Sequence, residues 1–144
     1  MTFTNNYIEE NHGNSGMFAT VFFAILDPRS GRRKYVNCGH RLTLIAGKKG
    51  SLRALPLTGP AIGAICRPVF TVLTEALMPG ELLFAYIDRL TDAVNLQEEP
   101  FTLVRLKPVL ACGSKPSHVV ADVQQNLNKF CRGARQFDDM PGWR

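Results

Sequence analysis

The sequence predicts an α+β layered domain, and three observations carry that prediction. Segments rich in Val, Ile, Leu and Phe, punctuated by Gly and Pro, occupy the part of the chain up to about residue 92. Apolar spacing of three and four, the mark of a helix packing one face, is clearest after it. Strands first and helices later, joined by short turns, give an antiparallel sheet covered by helices.

The first strand is read over residues 18–26, and Asp27-Pro28-Arg29-Ser30-Gly31 supplies the residues of a hairpin turn before a partner at 33–37. A second hairpin pairs 42–46 with 51–55 around Gly47-Lys48-Lys49-Gly50, whose glycines tolerate positive φ. Pro56 to Gly63 breaks regular structure. A strand at 69–77 follows, then the Met78-Pro79-Gly80-Glu81 turn and an apolar strand at 82–87. The expectation is a meander of about six strands.

Residues 101–110 read as a short helix weakened by Pro108. Ser117 reads as the N-cap of a longer one through Val119, Val120, Val123, Leu127 and Phe130, stopping at Gly133 and packing one face on a sheet. No repeat or linker divides the chain, so residues 1–144 are expected as one domain: a helix or loop at 1–16, strands at 17–92, helices and an acidic end at 93–144.

Composition narrows the classes. With 144 residues and 45% hydrophobic content the chain can bury a core. No apolar run approaches the roughly 20 residues that cross a bilayer, and the N-terminus lacks the pattern of a signal peptide, so a cytoplasmic protein without membrane contact is expected. Cys38, Cys66, Cys112 and Cys131 are too scattered for a zinc site and read as reduced thiols. The net charge of +5 comes from dispersed cations, among them Arg29, Arg32, Arg33 and Lys34, read as solvated turn residues. Nucleic acid is not expected as a partner, although a basic rim would attract an acidic phosphoprotein.

The chemistry concentrates where the 82–87 strand runs into Asp88-Arg89-Leu90-Thr91-Asp92. An aspartate at the end of a buried strand is desolvated and needs a cation or a donor, which makes Asp88 the first metal-ligand candidate. A second acidic point is Phe137-Asp138-Asp139-Met140.

The order of Met17-Phe18-Ala19-Thr20, Leu26-Asp27-Pro28, Asn37-Cys38-Gly39-His40, the Asp88 loop and Asp138-Asp139 resembles the bacterial protein phosphatase 2C-like domains of the stage II sporulation protein E type. The resemblance runs from about Asn5 to Met140. It implies an αββα sandwich and a metal-dependent serine/threonine phosphatase acting on a phosphorylated signalling protein such as an anti-anti-sigma factor. It implies a binuclear Mn²⁺ or Mg²⁺ centre that activates water, with no further catalytic residue; Asp88 and Asp138 match ligand positions, Asp139 more weakly, and Asn37, Gly39 and His40 form the motif turn.

Departures accompany the match. Arg89 stands where the family has glycine, putting a cation beside a ligand position, and Pro141 replaces a threonine. No Asp-Gly dipeptide matches the pair that bridges the family's two ions, so the resemblance implies a sandwich incomplete at both ends and an incomplete metal site. The alternative is a non-catalytic module that binds a partner. Open strand edges imply pairing between copies of the chain.

Overall fold

The computed structural model describes residues 1–47, 50–111 and 115–134. Helix α1 (Thr2–His12) leads through a short 3-10 turn to strands β1 (Val21–Leu26), β2 (Arg32–Cys38), β3 (Thr43–Ala46), β4 (Leu52–Leu55), β5 (Leu73–Ala76) and β6 (Leu82–Phe84). Helices α2 (Asp88–Asp92), α3 (Leu103–Ala111) and α4 (Pro116–Phe130) complete the order. No described helix is long and apolar enough to cross a membrane.

The strands do not form a meander. They make two three-stranded sheets, β1-β2-β5 and β4-β3-β6. The β1–β2 and β3–β4 neighbours are local, as expected, whereas β5 returns to pair antiparallel with β2 and β6 joins β3. The crossing lets one sheet cover the other: Tyr35 from β2 packs with Ile45 and Leu55 of the facing sheet, and Phe22, Ala24, Leu73, Leu77 and Leu83 close round them. Burial between sheets outweighs local pairing, because a lone meander of this composition would leave both apolar faces wet.

The alternation of β2 determines what faces where. Register places Arg33, Tyr35 and Asn37 opposite Leu26, Ala24 and Phe22, on the inter-sheet side. Val36 and Cys38 point to the other side, into a second cluster with Ile62, against which Met1, Ile8, Val21 and Phe70 pack. Helix α1 thus covers one end of the outer face. Asn5, fully buried, anchors it: its Nδ2 donates to the Ile65 carbonyl at 3.3 Å and its Oδ1 accepts the Gly63 N–H at 2.8 Å.

The chain divides into two compact units. One comprises Met1–Ile45 with Arg53–Ala85, the other Ala46–Leu52 with Tyr86–Arg144. In the second unit α3 persists despite Pro108, which removes one backbone donor, because Leu106, Val109 and Leu110 are buried. The partner of α4 in this unit is α3: Phe101, just before α3, meets Phe130 edge-on at 5.3 Å, and the Arg105 guanidinium lies 4.6 Å above the Phe130 ring. Val119 and Val123 of α4 are buried while Val120 is exposed. The N-cap of α4 is Lys115, not Ser117, with Pro116 taking the first-turn position that needs no N–H.

Candidate functional site

The motif turn is the best-built part of the site. Asn37 Oδ1 accepts the His40 N–H at 3.0 Å, so the side chain of one motif residue closes the turn on the backbone of another. The turn is stitched to the segment after β4: Asn37 N–H donates to Thr58 Oγ1 at 2.8 Å, Thr58 N–H to the Asn37 carbonyl at 2.9 Å, and Gly39 N–H to the Gly59 carbonyl at 3.1 Å. Gly39 has φ of 71°, and a Cβ there would stand 2.9 Å from the Ala61 nitrogen. Glycine is required twice over, by conformation and by space.

Cys38 is wholly buried inside this turn, and desolvation pushes its thiol up from the ordinary range, which leaves it protonated and unsuited to attack. Cys38 and Cys66 are free thiols; Cys112 lies outside the described residues.

Asp88 corrects the sequence reading. Regular strand ends at Phe84, three residues pass without it, and Asp88 opens α2 as an exposed residue whose Oδ1 accepts the Arg89 N–H at 2.9 Å. Its carboxylate is hydrated and sits at the positive end of a short helix, so the desolvation that made it a ligand candidate is absent. Arg89 is half-buried on the same turn. Asp138 and Asp139 lie outside the described residues.

A second correction concerns Arg33, expected as a solvated turn cation and found 2% exposed on the inner face of β2. The period-two alternation with Tyr35 and Asn37 was the signal that could have found it. The structural role of Asn5 had no comparable signal, since the loop it holds is some sixty residues away in sequence.

The profile of the stage II sporulation protein E family matches residues 1–141. The chain belongs to that family. It is similar to protein IcfG of Synechocystis sp., 36% identical over 138 residues that make up 95% of this chain and 22% of IcfG. Among solved structures, the RsbU and RsbW domains of a Mycobacterium tuberculosis protein superpose with a TM-score of 0.70 at 20% identity, covering 88% of this chain and 36% of theirs. The phosphatase domain of the cell fate determinant SpoIIE from Bacillus subtilis, presoaked with manganese, gives 0.64 at 16% identity, covering 96% of this chain and 61% of that domain. The likeness establishes the fold as an α+β sandwich of the protein phosphatase 2C type. The chain spans only part of each relative's length.

Membership in the SpoIIE family places the chain among phosphatase domains at the level of the family. Its described residues do not by themselves fit a metal centre. No group of three His, Cys, Asp or Glu side chains stands close enough to hold an ion, and of the motif carboxylates only Asp88 is described. Hard divalent ions shared between two positions need several oxygens, so no catalytic step follows from this donor set.

Proposed function

We propose that this SpoIIE-family chain forms part of a metal-dependent serine/threonine protein phosphatase of the bacterial regulatory class, working in the cytoplasm on a phosphorylated signalling protein of the anti-anti-sigma type. The observation that carries the reading is the family match along residues 1–141, laid on a sandwich that keeps the Asn37–His40 turn closed by its own side chain. Mn²⁺ or Mg²⁺ is the cofactor in this reading, with Asp88 and Asp138 as ligands, Asp139 a weaker candidate, and further carboxylates needed to bridge two ions.

A second reading, a non-catalytic module that binds the same class of phosphoprotein, is favoured by one feature: Arg89 stands beside Asp88 where the family has glycine, adding positive charge and removing backbone freedom. Turnover of a generic phosphomonoester with Mn²⁺ added and then removed separates the two. A Mn²⁺-dependent rate lost in Asp88→Ala supports the enzyme. No turnover, with retained binding of a serine-phosphorylated partner, supports the module.

A further inference from the structure

Arg53 is a strap across an open corner of the first unit. Among the described residues β5 ends one sheet and β4 ends the other, so each has no neighbouring strand along one side. From β4, the Arg53 guanidinium pairs with Glu75 of β5, donates to the Ala76 carbonyl of the same strand at 3.4 Å and holds Glu81 at 3.0 Å. A charged side chain laid over a strand edge guards it against the addition of a further strand.

What the strap closes is a groove of about 340 Å³ between the two edges. Leu55 and Pro56 line it from the β4 side, and Leu73 and Thr74 from the β5 side. Stacked sheets stand about 10 Å apart and hydrogen-bonded strands about 4.8 Å, so a corner left open in this way takes one extended chain beside β5. The strap itself is easily moved. The side chains of Arg53 and Glu75 are 44% and 32% exposed, and an ion pair in that much contact with water adds little to stability.

We propose that this groove takes an extended segment of a partner protein, added as a further strand alongside β5, with an apolar side chain against Leu55 and Leu73 and a lysine or arginine for Glu75. The extended form follows from the open backbone edge, and the apolar residue from the groove walls. The cation follows from charge. An entering strand displaces Arg53 from the Ala76 carbonyl and from Glu75; Arg53 keeps Glu81, and Glu75 loses its ion-pair partner. The site shares no residue with the motif turn or with Asp88, and does not depend on the phosphatase reading.

The test uses the whole chain and two blocked hexapeptides, acetyl-Thr-Val-Lys-Val-Thr-Val-amide and the same peptide with glutamate in place of lysine, titrated calorimetrically. We expect the lysine peptide to bind about fivefold tighter than the glutamate peptide, and Arg53→Ala, with the guard removed, to bind the lysine peptide about fivefold tighter again. Glu75→Gln should erase the preference for lysine. A lysine peptide N-methylated throughout, which cannot donate from its main chain, should not bind. Hydrogen exchange with the lysine peptide bound should show new protection at Leu73–Ala76. Retained binding of the N-methylated peptide, equal binding of the lysine and glutamate peptides, or protection at Val21–Leu26 instead of β5 overturns the proposal. So does an affinity that Arg53→Ala leaves unchanged, or the absence of binding to both the unaltered chain and that variant.

Discussion

Arg53 on β4 holds Glu81 at 3.0 Å, tying one edge strand of the sheet to the turn that launches the other edge strand, β6. The Met78 N–H, at 2.9 Å from the same carboxylate oxygen, completes the pair of donors. The Met78 N–H first, and Arg53 after it, hold the Glu81 carboxyl below its ordinary value of 4.5.

The sign of the pH dependence follows from that. A depressed folded-state pKa gives a stabilising contribution that is present above the unfolded value of 4.5 and lost as pH falls through the lower folded value. We expect the chain to lose stability on acidification below about pH 4.5, and Glu81→Gln to be less stable near neutral pH but flatter across the acid limb. Urea midpoints between pH 3 and 7 check it, and parallel acid limbs for the two proteins would refute it.

Gly39→Ala should destabilise by roughly 2–3 kcal/mol, combining positive φ with a contact against the Ala61 backbone. Gly13→Ala is the control. It has αR backbone angles and nothing within 4 Å of its added Cβ, so a change within about 0.5 kcal/mol is expected. Chemical denaturation of both variants measures the contrast, and equal midpoints would mean that the turn yields.

Metal binding should be weak. Asp88 is a single hydrated carboxylate, and Arg89 on the same turn opposes a cation. Titration calorimetry with Mn²⁺ is expected to give a dissociation constant well above the low micromolar range. Arg89→Gly should tighten it by about fivefold, the ~1 kcal/mol that unit charges about 4 Å apart exchange in water. A low micromolar constant abolished by Asp88→Ala would show that the ligand set is complete.

Strand β1 lies at the edge of its sheet as Val-Phe-Phe-Ala-Ile-Leu, without a charge, a proline or a bulge to blunt it. Phe23 and Ile25 are half to two-thirds exposed on its outer face. Self-association at about tens of micromolar is expected, in the weak regime of a small interface, with Ile25→Lys shifting the chain to monomer. Sedimentation equilibrium decides it; a wild-type monomer at that concentration sinks the idea.

Much of the first unit was legible because its signals are local. The Asp27–Gly31 turn, the β3–β4 hairpin and the side-chain closure of Asn37 on His40 all depend on residues within a few positions of one another. The family motif was legible for the same reason, since Asn37 Oδ1 closes the turn on the His40 N–H three residues on, whereas the bonds that stitch it to Thr58 and Gly59 carry no local signal. The helical face of α4 was readable from spacing, but its cap was not, because Pro116 competes with Ser117 through backbone geometry rather than hydrogen bonding.

What the sequence by itself determined, then, was the set of strands and turns and the family they belong to. Only the tertiary structure decided that β5 crosses back to β2, that Asn5 anchors the loop at Gly63 and Ile65, that Arg33 is buried and that Asp88 is not. Those outcomes depend on which apolar faces find each other across long separations. An arginine next to a turn and an aspartate after an apolar run carry no local mark of the side they will face once two sheets close on a common core.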